Sequence, residues 1–412
     1  IFKLGLDILT HAFKKAFPTN FKLYQQAFAG LPKNIWLLSL VMLINRSGTM
    51  VLAFLTLYCT QYLHQTPKLA GFAIAVYGLG SILGAYFGGR LSDKFGYHFV
   101  QVFGLIGGGV FFILAPFAQN FHLFLLIIFL LAAVNESFRP ANTAAIAANS
   151  TPEIRTRSFA LLRLAMNLGW SIGTFLGGIL SHYDYKLLFY VDGCTSIFAG
   201  LIMLTLKFKT TEIHKNHSEE AKEEISPLKN KPFVYFILGT LLYTFCFFQL
   251  FTNVPLFYKV GLKLDEQIIG IVMSLNGLLI VMIEMVLVNN IEGKFSKKSI
   301  IVTGTLLMVL FYFLNSGMNL MNAFLIAFGG MLIITFGEIL SLPFMNSYYL
   351  KFAGKTNTGK YASIYMMTWS IGQILAGYIG GMIINSFGFP PLWLVCTGLS
   401  LLCAFIYFKV IK

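Results

Sequence analysis

The sequence predicts an all-α integral membrane protein in which twelve transmembrane helices form two pseudo-symmetric halves of six. Three observations predict it. Apolar residues make up 57% of the 412, charged residues only 11%, and aromatic residues 16% with 42 Phe, far from the averages of a soluble domain. Hydrophobic stretches of roughly 20 residues or more, enough to cross a bilayer, recur twelve times along the chain. The chain also matches itself when slid by about two hundred positions.

The first six stretches run approximately over 35–60, 69–89, 99–118, 121–147, 157–180 and 187–206. The second six run over 232–258, 267–290, 299–316, 321–349, 360–385 and 391–409. Helices are the expected form, because lipid offers no partner to a backbone N–H or C=O and a helix satisfies both internally. The internal match is specific. Leu57-Tyr58 falls on Phe257-Tyr258, Gly78 on Gly277 and Lys94-Phe95 on Lys294-Phe295, at shifts of 199 to 200. At a shift of 203, Pro140 meets Pro343, Arg157 meets Lys360, and Gly169, Gly177 and Gly178 meet Gly372, Gly380 and Gly381. Two halves repeated head to tail are the pattern of parallel repeats in secondary transporters.

The expected organisation is a cytoplasmic amphipathic leader over 1–34, a six-helix half over 35–206, a cytoplasmic linker over 207–231 and a second half over 232–412. In the leader, Lys3, Asp7, Thr10, His11 and Lys14 share one helical stripe, with Phe, Ile and Leu opposite. A helix lying on the inner membrane surface and a weakly ordered leader both fit that pattern. The linker carries the densest charge in the chain and reads as a solvated connection.

The net charge of +14 does not point to nucleic acid, because its distribution follows the membrane. With both termini inside, 23 of the 30 Lys and Arg are cytoplasmic, and the outer loops carry only Lys68, Lys186, Lys259 and Lys263. This asymmetry fixes the orientation by the positive-inside rule, in the cell's inner (plasma) membrane. The five Cys fall in or at the ends of spans without paired spacing, so free thiols, no metal site and no cofactor are expected. No cleavable signal-peptide pattern opens the chain, and with Ile1 in place of an initiator Met the true terminus is expected further upstream.

Gly89, Asp93, Lys94 and Gly96, between spans two and three, resemble the G-x-x-x-D-R/K-x-G-R-R loop of the major facilitator superfamily. A degraded copy, Ile291-Glu292-Gly293-Lys294-Phe295-Ser296, follows span eight. The resemblance implies the major facilitator fold and a conformational latch, in which Asp93 engages the cytoplasmic N-terminus of span eleven, where free N–H groups and the helix dipole favour an anion. Tyr97 and His98 stand where that loop usually has two basic residues. Gly169, Gly173, Thr174, Gly177 and Gly178 of span five resemble the antiporter motif G-x-x-x-G-P-x-x-G-G, with Thr174 replacing the Pro. Close helix packing explains the same glycines, and the echo at Gly372, Gly380 and Gly381 strengthens that second reading. The segments Phe138-Arg139-Pro140-Ala141-Asn142, Arg155-Thr156-Arg157 and Asn167-Leu168-Gly169-Trp170 look like the bacterial drug:proton antiporter branch.

Charges inside the bilayer need an explanation, since each costs several kcal/mol unless paired or hydrated. They are Arg46 in span one, Glu136 and Arg139 in span four, Arg163 in span five, Glu284 in span eight and Glu338 in span ten. Asp192 is placed near the outer end of span six, within reach of water. The resemblance implies that spans one, four, seven and ten line the central cavity, where Arg46, Glu136, Arg139 and Glu338 would lie. Glu136 and Arg139, three residues apart, share a helical face and can pair. A carboxylate alternating between water and a closed cavity can load and release a proton, so Glu338 and Glu136 are the proton-coupling candidates. Arg46, Asn45, Gln249, Arg139, Tyr365 and Gln373 are the candidate substrate contacts, with Phe245, Phe247 and Phe248 as apolar wall. A helix-fastening ion-pair network is the competing account of the charges.

The expected function is proton-coupled export of amphipathic or lipophilic small molecules by alternating access. The partners are substrate, protons and membrane lipids, with no nucleic acid, and the protein is expected to act as a monomer. A proton-driven uptake symporter for peptides or another nutrient uses the same carboxylates. From another class, an intramembrane lipid-modifying enzyme would need a nucleophile with a base or a His-rich cluster, and the seven His lie in loops or at span ends. A non-transporting receptor would need neither the repeat nor the buried charges. No enzyme is expected.

Overall fold

A computed structural model of the chain describes residues 28–206, 227–317, 322–352 and 358–411. Most of the leader and of the charged linker lies outside those residues.

The described residues contain twelve helices long and apolar enough to cross a membrane. Spans one to six are Lys33–Tyr62, Pro67–Phe95, Tyr97–Phe117, Phe121–Ala148, Arg157–Tyr183 and Lys186–Thr205. Spans seven to twelve are Lys231–Thr252, Glu266–Ile291, Lys297–Ser316, Leu325–Tyr348, Lys360–Phe387 and Phe389–Val410. Several starts have a local cause. Thr66, Asn120, Asn230 and Ser296 each accept, through the side chain, the N–H three residues on, at 2.8 to 3.3 Å, satisfying one of the amides that a helix start leaves free. Large apolar side chains such as Phe87, Phe99, Leu204 and Phe405 remain about half exposed on the helix surfaces, as suits a protein whose solvent is lipid.

The chain forms two compact units. One contains spans one to six together with Leu264–Val281, which includes the first part of span eight. The other contains span seven, span eight from Met282 onward, and spans nine to twelve.

The helices run past the hydrophobic stretches that announce them. Gly89 to Phe95, read from sequence as a loop, forms the last turns of the Pro67–Phe95 helix. The link to span three is Gly96 alone, at φ 83°, in the left-handed region open to Gly. Lys94 sits in the final helical turn, where a cation complements the helix dipole.

The repeat extends to backbone detail. Spans one and seven each widen into a single π-type turn, over Tyr58–Tyr62 and Phe257–Gly261, closed by Leu63 N–H to Tyr58 C=O at 3.0 Å and Leu262 N–H to Phe257 C=O at 2.9 Å. The next residue in each, His64 and Lys263, takes a positive φ of 52° and 57°, which non-Gly residues rarely adopt. They stand 199 positions apart.

Spans one and four are each broken midway. Span one consists of Lys33–Ser47 and Met50–Leu57, separated by Gly48 and Thr49. Span four consists of Phe121–Asn135 and Phe138–Ala148. Pro140 explains the second break, since its ring would clash with the carbonyl four residues back, that of Glu136, and it has no N–H to give. Glycines of two neighbouring helices grip this break. A methyl on Gly88 of span two would lie 2.7 Å from Ser137 Cα, and one on Gly104 of span three 3.1 Å from Phe138 N.

Candidate functional site

Each unit holds a buried polar cluster that includes residues singled out from the sequence. The first is built on the two broken helices. Arg46, in the last turn before the break in span one, brings Nη2 to 3.9 Å from Glu136 Oε1. Arg139 Nη1 donates to Glu136 Oε2 at 3.3 Å, and the Tyr77 hydroxyl of span two donates to Glu136 Oε1 at 3.3 Å. Glu136 is thus buried between two guanidiniums and a phenol. The sequence anticipated the Glu136–Arg139 pair from its spacing; that Arg46 and Tyr77 meet the same carboxylate needed the fold. The two arginines differ. The side chain of Arg46 is 14% exposed and that of Arg139 is 56% exposed. Arg46 also keeps a buried Nε with no hydrogen-bond partner among the described residues.

Asp192 departs from expectation. It is 1% exposed, not water-accessible, and accepts from Met50 N at 3.2 Å and Val51 N at 2.8 Å. These are the first amides of the helix that restarts after Gly48, so a carboxylate from span six caps a helix inside span one. Asn45 reaches span six as well, its Nδ2 lying 3.5 Å from Ser196 Oγ. No Cβ fits at Gly48, which is packed on the Thr195 side chain and on Asp192 Cα at 3.3 Å.

The second cluster lies in the other unit. Gln249 of span seven is fully buried, donates to the Ala376 carbonyl of span eleven at 3.3 Å and accepts from Asn253 Nδ2 at 2.6 Å. Its amide is committed to joining two helices. Tyr365, 1% exposed, donates to Asn346 Oδ1 at 2.9 Å and stacks on Tyr349 with ring centroids 4.4 Å apart. Gln373 is half-buried. Glu338 is 9% exposed on span ten and within electrostatic reach of Tyr243 of span seven. Pro343 lies inside the same helix without breaking it. Around Trp369 of span eleven gather Phe247 at 5.4 Å, Phe248 at 6.0 Å and Tyr365 at 6.2 Å between ring centroids. Arg163 and Glu284 are half-buried on spans five and eight.

The span-five glycines make close helix contacts. A methyl on Gly169 would stand 2.6 Å from Arg46 Cβ, one on Gly173 3.0 Å from the Ser47 carbonyl and one on Gly177 2.9 Å from Phe54. One on Gly178 would stand 2.6 Å from Gly270 Cα. The first three hold span five against span one along the stretch that carries Arg46 and the break. In the other unit Gly372 packs on Thr244 and Gly380 on Gln249 and Asn253. By contrast, a methyl on Gly89 would meet nothing within 4 Å.

At one end of span five, His182 Nδ1 lies 2.9 Å from Asp265 Oδ1, and the Tyr185 hydroxyl donates to Glu266 Oε1 at 2.7 Å. Hydrogen bonding with Glu266, followed by that with His182, holds the Asp265 carboxyl below the usual carboxylate range.

Comparison with known proteins agrees with this architecture. A sodium, lithium, potassium/proton antiporter of Planococcus maritimus is 24% identical over 404 residues, covering 88% of this chain and 92% of the relative. The multidrug resistance protein MdtG of Proteus mirabilis is 29% identical over 197 residues, 46% of this chain and 48% of the relative. Among solved structures, the nucleoside transporter NupG superposes with a TM-score of 0.77 at 15% identity, covering 92% of this chain and 100% of that one. A peptide transporter POT in complex with sulfate gives 0.74 at 13% identity, covering 94% and 98%; at these identities the likeness is one of fold. The Major Facilitator Superfamily profile matches residues 35–377, so this multi-pass membrane protein belongs to that superfamily of small-molecule transporters.

Proposed function

We propose that the protein is a proton-coupled exporter of small amphipathic or lipophilic compounds. It works by alternating access as a monomer among the lipids of the plasma membrane, with both termini cytoplasmic. The observation that carries the reading is Glu338, a buried carboxylate on a span with no Lys or Arg of its own. Such a group can hold a proton while occluded and release it once water arrives. Glu136 is the weaker candidate for this role, because two arginines already neutralise it. The aromatic group around Trp369 supports a lipophilic cargo, since ring faces bind flat apolar and cationic molecules. Arg46, whose Nε has no partner among the described residues, and Arg139 are the groups that would meet a polar end of the substrate.

A second reading, exchange of monovalent cations for protons, is favoured by the Planococcus relative, whose similarity runs through both halves. The test is flux into proteoliposomes with an acid interior, using lipophilic cationic dyes in one series and sodium, lithium or potassium in another. Antiport drives dye inward as protons leave. Symport carries it outward and would reverse the assignment. Inward movement of the alkali cations with no dye flux establishes the second reading.

A further inference from the structure

The break in span one borders a cavity of about 10 Å³, lined by Asn45, Gly48, Thr49, Leu52, Tyr77, Phe112, Asn135 and Asp192, about the room of one water or one small ion. We propose that this cavity is a binding site for a small monovalent cation of the sodium or lithium class, with Asp192 supplying the charge and Asn135 a neutral oxygen ligand.

Asp192 is the first reason. Its two oxygens accept one backbone amide each, and among the described residues it has no basic partner. A buried carboxylate in a span calls for a counter-charge, which the amides supply only as partial dipoles. Asn135 is the second and independent reason. It is 9% exposed and lines the cavity, yet its Oδ1 is buried with no donor among the described residues. A buried acceptor without a partner is costly and rare.

The helix ends give the site its sign. The half-helices Lys33–Ser47 and Phe121–Asn135 both stop at this level, and a helix C-terminus carries partial negative charge. Of the two N-termini that follow the breaks, the one at Met50 is already taken by Asp192, and the half-helix Phe138–Ala148 contributes no residue to the cavity lining. The surroundings are therefore rich in acceptors, and broken helices that present acceptor ends to a coupling cation are a recurring device in transporters. Charge sets the valence. Arg46 balances Glu136, and Arg139, 56% exposed, stays hydrated, which leaves Asp192 as the carboxylate without a basic partner among the described residues, so one positive charge completes the site and a divalent ion would overfill it. The size of the cavity favours sodium and lithium over larger cations.

The inference does not rest on the exporter reading, and a binding test can fail while that reading stands. The probe is sodium or lithium chloride against choline chloride at equal ionic strength, added to the purified full-length protein in detergent, with the thermal midpoint and sodium-23 NMR line width as readouts. Sodium and lithium should raise the midpoint saturably and broaden the sodium signal, while choline does neither. Asn135→Ala, which removes an acceptor that makes no hydrogen bond among the described residues, should keep the fold and weaken the apparent affinity at least about tenfold, as disturbing the residues around a metal site does. Asp192→Asn, which can still accept one amide bond through its carboxamide oxygen, should abolish the effect. Equal midpoints in sodium, lithium and choline would mean that the cavity holds water only, and would overturn the proposal. So would a sodium response of unchanged affinity in Asn135→Ala, which would place the ion elsewhere.

Discussion

Replacing Glu136 with Gln should destabilise the protein far more than removing either visible partner suggests, and the reason lies in the unequal burial of its arginines. At 3.9 Å, opposite charges attract by about 4 kcal/mol at an effective dielectric of 20. Breaking a buried pair by deleting one partner costs about 3–5 kcal/mol, chiefly because the other charge is left stranded. Arg46, 14% exposed with one nitrogen already unpartnered, is the stranded group. Arg139, 56% exposed, stays hydrated, and its pair is worth about 0–1 kcal/mol after solvent screening. The expected order of thermal stability in detergent is therefore wild type, then Arg139→Gln close to it, then Glu136→Gln far below. Adding Arg46→Gln to Glu136→Gln should recover part of the loss, since it removes the stranded charge. A complete double-mutant cycle with Arg46→Gln measures the coupling. If Glu136→Gln melts with the wild type, or if the second substitution lowers stability further, the network does not hold the spans together and the reasoning fails.

In proteoliposomes, Glu338→Gln should abolish flux driven by a pH gradient while leaving substrate binding largely intact; full pH-driven flux in this variant, together with its loss in Glu136→Gln, moves the coupling role to span four. Gly169→Ala should cost about 1–3 kcal/mol through overpacking, because the new methyl meets Arg46 Cβ and the Leu43 carbonyl, whereas Gly89→Ala, which meets open space within a helix, should melt no lower than the wild type. Asp93→Asn should change the proportion of inward- and outward-open forms, read by distances between paired spin labels; an unchanged distribution removes the latch role. Asp265 has its carboxyl held down in the folded state, so its contribution is present above the unfolded carboxylate value of about 4 and is lost as pH falls through the folded value. The midpoint difference between wild type and Asp265→Asn should therefore be steady at neutral pH and shrink in acid, and a difference that persists in acid contradicts the assignment.

The fold was legible because lipid imposes simple rules on composition and length. Twelve apolar runs and a self-match near two hundred positions suffice to announce twelve spans. Helix ends were less legible: Gly89 to Phe95 is polar enough to read as a loop, yet it continues the helix, because charged side chains can project from a helix end into water. In the interior, Glu136 and Arg139 could be paired from their spacing alone, being neighbours on one helix. Arg46, Tyr77 and Asn135 come to the same place only through the packing of three helices, and no local pattern encodes that. Asp192 was misplaced for a definite reason. Its partners are backbone amides of Met50 and Val51, which every residue but Pro possesses, so they leave no mark in the sequence. The available signal was Ser47-Gly48-Thr49 in the middle of an apolar run, and glycine is too common in membrane helices for that to mark a break.

Asp192 and Glu136, both carboxylates next to broken helices, are stabilised in opposite ways. Asp192 faces the start of Met50–Leu57, where free amides and the helix dipole favour an anion. Glu136 lies between the end of Phe121–Asn135 and the start of Phe138–Ala148, where the two helix dipoles oppose each other, and its carboxylate meets the side chains of Tyr77, Arg139 and Arg46 instead of backbone amides. The arginines are therefore a condition for keeping Glu136 charged at that position. The break in span four is set by Pro140 and gripped by Gly88 and Gly104, so Glu136 cannot move to a better place on its helix. A change that shifts span one by even a fraction of an ångström, such as a methyl at Gly169, should weaken the Arg46 contact and act on Glu136 without touching it. The glycines of span five then belong to the same device as the charges, for they set how near Arg46 can come.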